Sequence, residues 1–80
     1  MFRVPPTDQP QWILDARRRL GTHIQSRRLH QNLTQEQLAE RSGIDRSTIQ
    51  RIEYGLNDPK HSHLIRIARA LRTSLAELVE

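Results

Sequence analysis

The sequence contains no cysteine, few aromatic residues (4%) and no long apolar run. Without cysteine, the chain can form no disulfide framework, thiol nucleophile or thiolate metal site. Its longest apolar runs are two or three residues, whereas a membrane-spanning helix needs about 20. Residues 1–11 also lack the apolar centre of a signal peptide. We therefore expect a cytoplasmic protein with no membrane partner.

Acidic residues are fewer than basic ones, nine against thirteen, which gives a formal charge of +4. All the basic residues except Lys60 are arginine, whose guanidinium group pairs with phosphate and guanine through two parallel hydrogen bonds. A basic balance favours a polyanionic partner. Many small soluble domains are mildly basic, however, so charge alone does not identify that partner.

Eighty residues with 35% hydrophobic content suffice for one small helical bundle and leave no room for a second domain. Residues 1–9 contain two prolines and little periodicity. We therefore predict a flexible N-terminal arm over residues 1–10, followed by one domain over residues 11–80.

The centre of the chain carries the signals of a short helix that ends at a glycine. Thr34 can accept a hydrogen bond from a backbone N–H of the first turn, and Gln37 completes a capping box. Gly43 can adopt the left-handed conformation that ends a helix at little cost. A helix is therefore predicted from Gln35 to about residue 42.

A second short helix follows, capped by Asp45. Its two isoleucines are three residues apart and so lie on one face. The positions that define the spacing are the fifth, ninth, fifteenth and eighteenth residues counted from Gln35: Ala39, Gly43, Ile49 and Ile52. This is the spacing of a helix-turn-helix over residues 35–54, whose second helix lies in the major groove of DNA.

Apolar periodicity predicts three further helices around this motif. The first covers residues 11–31, and Asn32 ends it in the left-handed conformation. A fourth helix, capped by Ser62, runs to about residue 72. Ser74 opens a second capping box for a fifth helix that ends near residue 79. With no alternating stretch in the sequence, we predict an all-α fold of five helices.

The segment LTQEQLAERSGIDRSTIQRIEYG (residues 33–55) resembles the Cro/lambda-repressor (XRE) class of DNA-binding regulators. The resemblance extends over about residues 20–78, most of the chain. It implies a compact, lambda-repressor-like domain that docks on double-stranded DNA as the phage repressors of this class do. Four downstream positions also match the pattern: Leu64, Ile67, Ala68 and Leu71.

With the isoleucines facing inward, the second motif helix turns its polar residues outward. Arginine can bond both acceptors of guanine, and glutamine can bond adenine. The resemblance implies five base-contacting residues: Arg46, Ser47, Thr48, Gln50 and Arg51. On a helix outside this pattern, the same residues would form an ordinary solvated face.

Phosphate contacts are expected at the rim of the motif, from Gln35, Tyr54, Asn57 and Lys60. Gln35 begins the first motif helix, where its backbone N–H and its side chain can both meet a phosphate at the positive end of the helix dipole. The other three lie where the chain after the second helix would pass the DNA backbone. Ordinary loop polarity explains these three equally well.

Arg28 and Glu53 are charged residues on or beside faces that the periodicity assigns to the core. The resemblance implies that they form a structural ion pair, which holds the first helix against the second motif helix. The four histidines lack ligand spacing, and no nucleophile–base pair is present. We therefore expect no metal, no cofactor and no enzymatic activity.

These patterns together predict a sequence-specific transcriptional regulator, with repression more favoured than activation. One module would be poorly specific, so we expect a homodimer on a pseudo-palindromic operator with half-sites about 34 Å apart. Leu75, Leu78 and Val79 could form the dimer contact, although closure of the core explains them equally well.

Two other functions are compatible with the same fold. The chain could be an antitoxin that binds a toxin protein as well as DNA, with residues 2–12 and the apolar C-terminus as partner surfaces. It could also be a protein-interaction module that does not bind DNA at all.

Overall fold

Five α-helices follow one another in the computed structural model, which describes residues 9–80: α1 (Gln11–His30), α2 (Gln35–Ser42), α3 (Arg46–Glu53), α4 (His61–Ala70) and α5 (Leu75–Val79). No strand occurs between residues 9 and 80, and the predicted all-α fold is confirmed. Most of the arm predicted for residues 1–10 lies outside the described residues.

The turn between α2 and α3 has the local structure that its sequence predicts. Thr34 Oγ1 accepts from the Gln37 N–H at 3.0 Å, and Gln37 Oε1 accepts from the Thr34 N–H at 2.8 Å. Gly43 is left-handed, with φ of 72°. Asp45 caps α3 by accepting from the backbone N–H of Thr48. The helix-turn-helix is therefore specified largely by residues near one another in the chain.

The end of α1 agrees with its prediction, whereas the start of α4 does not. Asn32 is left-handed after α1, with φ of 58°, as predicted. The predicted Ser62 cap is wrong, because α4 begins at His61 after Lys60, whose side chain makes no capping bond. Lys60 supplies only its carbonyl oxygen, which accepts from the Leu64 N–H at 3.1 Å. Ser62 therefore lies within the first turn of α4.

The predicted capping box at α5 forms only in part. Ser74 Oγ accepts from the backbone N–H of Glu77 at 3.1 Å. The Glu77 carboxylate, however, accepts mainly from the Thr73 hydroxyl, at 2.6 Å, with the Ser74 backbone N–H as the weaker donor. Thr73 lies outside the four-residue pattern that defines the box, so the pattern did not identify the competing donor.

One hydrophobic cluster joins the five helices and the two connections on either side of α2. Its buried members are Leu20, Ile24, Leu33, Leu38, Ala39, Ile44, Ile49, Ile52, Ile67, Ala68, Leu71 and Leu78. Burial of Ile49 and Ile52 fixes the rotation of α3 about its own axis. The opposite side of that helix must then face outward.

The backbone of α1 packs closely against the end of α3 at Gly21. A Cβ atom built on Gly21 would lie 2.3 Å from the carbonyl oxygen of Glu53 and 2.6 Å from that of Ile52. Both neighbours are backbone atoms, which cannot rotate away. Only a glycine at position 21 therefore lets α1 approach α3 this closely.

Among residues 9–80, no helix is both long enough and apolar enough to cross a membrane.

Candidate nucleic-acid interface

The outward face of α3 carries a set of polar side chains opposite its buried isoleucines. Arg46, Ser47 and Arg51 are exposed, whereas Thr48 and Gln50 are partly buried. Within residues 9–80, neither Arg46 nor Arg51 has a carboxylate oxygen within 4.0 Å of a side-chain nitrogen. Both positive charges are therefore available to an external anion.

Hydrogen bonds connect the polar residues at the start of α3 to one another. The Ser47 hydroxyl donates to Asp45 Oδ2, which also accepts from the Thr48 N–H at 3.2 Å. Arg51 folds back along the helix, and its Nε and Nη2 each lie 3.4 Å from an oxygen of Ser47. The sequence predicts Asp45 only as a helix cap, whereas the structure adds it to the candidate site.

The Asp45 carboxylate is ionised at neutral pH. The hydrogen bond from the Ser47 hydroxyl, followed by the one from the Thr48 backbone, lowers the pKa of Asp45 below its ordinary value of 3.8. A lowered pKa means that the charged cap stabilises the fold above the ordinary value, and that this contribution is lost as the pH falls through the lower, folded-state pKa. The site therefore holds a fixed negative charge among its arginines.

Gln35 begins α2, as the phosphate hypothesis requires, but its side chain is bonded within the protein. Its Nε2 donates to Glu53 Oε1 at 3.1 Å. That bond uses one of the two amide protons, so the contact of this side chain with a phosphate stays a prediction. The backbone N–H of Gln35 still lies in the first turn of α2, where anions bind favourably.

The other three predicted phosphate contacts occupy different environments. Tyr54 is 56% exposed, and Lys60 is also exposed. Asn57 is partly buried, and its side-chain oxygen is buried with no hydrogen-bond partner within the part of the chain that the structure describes. Asn57 thus contributes less accessible polar surface than its place in a loop suggested.

A shallow cleft brings members of both predicted contact classes together. Gln35, Arg46 and Tyr54 all border this open space of about 610 Å³, at the junction of α2 with the two ends of α3. Residues separated by up to nineteen positions in the chain therefore share one continuous surface. Such a surface can contact bases and the neighbouring DNA backbone simultaneously.

A buried ion pair lies beneath this surface and connects α1 to α3. Arg28 Nε donates to Glu53 Oε2 at 2.7 Å, and Arg28 Nη2 donates to Glu53 Oε1 at 2.9 Å. A third bond, from Arg28 Nη1 to the Leu33 carbonyl oxygen, measures 2.9 Å. Arg28 and Glu53 are only 7% and 5% exposed. This bidentate geometry holds the C-terminal end of α3 in one orientation.

The three residues suggested for a dimer contact differ in exposure. Leu78 is fully buried in the core, Leu75 is partly buried and Val79 is 54% exposed. Leu78 closes the core because α5 packs against α1, and it is therefore not available to a second copy. Of the three residues, Val79 has the most surface to offer.

An apolar cleft of about 300 Å³ beside Val79 was not predicted from the sequence. It is bordered by Trp12, Ile13, Ala16, Leu20, Pro59 and Leu64, together with Arg17 and Asp58. Trp12 is 71% exposed. The sequence signal for this cleft is the four-residue spacing of Trp12, Ala16 and Leu20 along α1.

In residues 9–80, no three histidine, aspartate or glutamate side chains are grouped so that they could hold a metal ion.

Comparison with known proteins gives a consistent result. The helix-turn-helix family (HTH_3) matches residues 24–78. Control protein C.SmaI of Serratia marcescens is 39% identical over 67 residues, which cover 84% of this chain and 80% of C.SmaI. The crystal structure of the restriction-modification controller protein C.AhdI from Aeromonas hydrophila matches with a TM-score of 0.78 and 30% identity, over 80% of this chain and 97% of that one.

Two further matches are also regulators by name. An uncharacterised HTH-type transcriptional regulator of Mycobacterium tuberculosis is 41% identical over 54 residues, which are 68% of this chain. This chain spans only 39% of the length of that relative. The clp gene regulator ClgR from Corynebacterium glutamicum has a TM-score of 0.75 and 27% identity, over 79% of this chain and 67% of that one.

Proposed function

Because this chain belongs to the helix-turn-helix (HTH_3) family, and its matches include HTH-type transcriptional regulators and controller proteins, we propose that it is a dimeric repressor that recognises a pseudo-palindromic operator. The observation that carries the proposal is the face of α3: two exposed arginines, without a carboxylate partner among residues 9–80, lie opposite two buried isoleucines. A helix held by its apolar side with guanidinium groups outward matches the shape and charge of a major groove.

Each contact in the proposed complex follows from the exposure of a side chain. Arg46 and Arg51 each donate to the O6 and N7 atoms of a guanine. Tyr54, Lys60 and the backbone N–H of Gln35 contact phosphates on either side of the groove. Thr48 and Gln50 are partly buried, so they contact only those bases that lie close to the middle of the helix.

A second copy of the chain covers the apolar cleft in this proposal. Trp12 and Val79 leave much of their apolar surface in water, on either side of the cleft. Burial of that surface stabilises a dimer by about 25 cal/mol per Å² before the cost of association. The dimer also supplies the second recognition helix that one short module needs for specificity.

We expect Val79→Asp to weaken dimerisation by at least about tenfold, because it places a charge in an apolar contact. Sedimentation equilibrium of both proteins over a range of concentrations measures the change. The matched control is Glu80→Asp, which leaves the local charge unchanged. If Val79→Asp and the unmodified protein dimerise equally, the dimer contact lies elsewhere.

The proposed function is tested by selecting bound duplexes from a random DNA pool at two salt concentrations. We expect an enriched inverted repeat, with affinity that falls as salt increases. Equal recovery of all sequences would contradict specific recognition. An antitoxin or interaction module of the same fold predicts instead a second polypeptide that co-purifies, and function that survives the loss of both Arg46 and Arg51.

The arginine and lysine contacts should respond differently to substitution. Arg51→Ala is expected to cost about 1–3 kcal/mol at one position of each half-site, because it removes a bidentate base contact. Lys60→Ala should weaken binding to all sequences alike, since a phosphate contact carries no base information. Quantitative titration of single-base operator variants separates the two effects. A uniform loss from Arg51→Ala would place that arginine on the DNA backbone.

A further inference from the structure

A chain of contacts runs from the N-cap of α3 to its last turn through three residues, which we call the α3 clamp: Asp45, Ser47 and Arg51. Asp45 accepts from the Ser47 hydroxyl. The Ser47 carbonyl oxygen and hydroxyl oxygen lie 3.4 Å from Arg51 Nε and Nη2, respectively. These outer contacts are long, so they bias the direction of the guanidinium group without holding it rigidly.

The clamp occupies the hydroxyl proton of Ser47 and some of the N–H groups of Arg51. The single hydroxyl proton of Ser47 is donated to Asp45, so Ser47 has no proton left to donate to a base acceptor. Arg51 contributes Nε–H and one Nη2–H, which form one edge of its guanidinium group. The other N–H groups, including one on each terminal nitrogen, point away from Ser47. That end of the guanidinium group matches the two acceptors of guanine.

We propose that the α3 clamp determines which base pair Arg51 recognises, with Asp45 and Ser47 as positioning residues rather than base contacts. This inference rests on the DNA-binding function proposed above. Asp45 orients the Ser47 hydroxyl, which contacts Arg51 Nη2, while the Ser47 carbonyl oxygen, fixed by the helix backbone, contacts Arg51 Nε. The ligand of the clamped arginine is a guanine in the major groove.

The negative charge of Asp45 is an independent reason to assign it a positioning role. Asp45 is exposed and lies beside the residues that face DNA. An ionised carboxylate there repels phosphate, and asparagine would cap α3 about as well without repulsion. The aspartate therefore reduces general affinity for DNA. In this proposal, better discrimination between base pairs offsets the loss of general affinity for DNA.

The test substitution is Asp45→Asn, which retains an acceptor for the Thr48 N–H but replaces the charged acceptor of the Ser47 hydroxyl by a neutral and weaker one. We expect affinity for random duplex to rise about two- to fivefold, because one repulsive charge is lost. We expect the preference at one base pair, the position affected by Arg51→Ala, to fall about three- to tenfold. Both are measured by competition titration against single-base operator variants, with melting curves to establish that the fold is intact.

Three further variants separate the clamp from other effects. Ser47→Ala should lower the preference at the same position, and Ser47→Thr should restore it by returning the hydroxyl. Neither Ser47→Ala nor Asp45→Asn should change that position further in an Arg51→Ala background. Glu36→Gln is the matched control, since it removes an exposed carboxylate near the start of α2. That variant should bind random duplex more tightly and keep its base preferences.

The outcomes distinguish this inference from the function on which it rests. If the unmodified protein enriches an operator but Asp45→Asn keeps every base preference, the clamp has no role and the proposed function stands. If Asp45→Asn loses preference evenly at all positions, its effect is on folding of α3, and the inference is overturned. If the unmodified protein enriches no sequence, the proposed function fails and the inference fails with it.

Discussion

Glu53→Gln should lower the free energy of unfolding by about 3–5 kcal/mol, since it leaves the buried guanidinium group of Arg28 without a counter-charge. An 80-residue domain has only about 4–12 kcal/mol of stability. The melting temperature should therefore fall by roughly 15–30 °C. Thermal unfolding followed by circular dichroism measures the change.

The chain offers a matched control for this substitution at its second ion pair. Arg27 and Glu77 are 3.4 Å apart, with side chains 40% and 54% exposed. Because water screens such a pair, Glu77→Gln should lower the melting temperature far less than Glu53→Gln does. If the two variants lower the melting temperature equally, burial does not make the Arg28–Glu53 pair more stabilising than the exposed pair.

The loss from Glu53→Gln should also be recovered in part by a second substitution. Arg28→Met removes the stranded charge and replaces the stem of the arginine with apolar atoms. Removing one partner of a buried ion pair leaves an uncompensated charge, whereas removing both charges leaves none. We therefore expect the Arg28→Met/Glu53→Gln protein to melt above the Glu53→Gln protein. If it melts lower still, the main role of Arg28 is its packing and its bond to the Leu33 carbonyl.

The second large effect is expected from Gly21→Ala. Alanine in a helix is favoured over glycine by about 1 kcal/mol, so local propensity predicts stabilisation. The new Cβ atom, however, would lie 2.3 Å from a backbone oxygen of α3, well inside van der Waals contact. The two helices would have to separate, at a cost of about 3 kcal/mol or more. We therefore expect a net loss of about 2 kcal/mol in the free energy of unfolding, measured by urea denaturation.

Thr22→Ala is the control for Gly21→Ala, because Thr22 is the next residue of α1 and is exposed. There the same gain in helix propensity acts without a steric conflict, so stability should rise by a few tenths of a kcal/mol. A rise in stability for both variants would show that α1 and α3 can move apart freely. That result would remove the geometric explanation for glycine at this position.

The sequence by itself determined the helix-turn-helix and the orientation of its second helix. Thr34 with Gln37, Gly43 and Asp45 each act on backbone groups within three or four residues, so the ends of α2 and α3 follow from local chemistry. The rotation of α3 follows from two isoleucines, because an amphipathic helix buries its apolar side.

Only the tertiary structure decided which polar groups are available and which are bonded internally. The Gln35 amide meets Glu53, eighteen residues away, and Leu78 is fully buried in the core. These pairings depend on how closely the helices approach and on which rotamers that packing allows. Periodicity alone specifies neither, and so the sequence identified the surface but not the partners of its side chains.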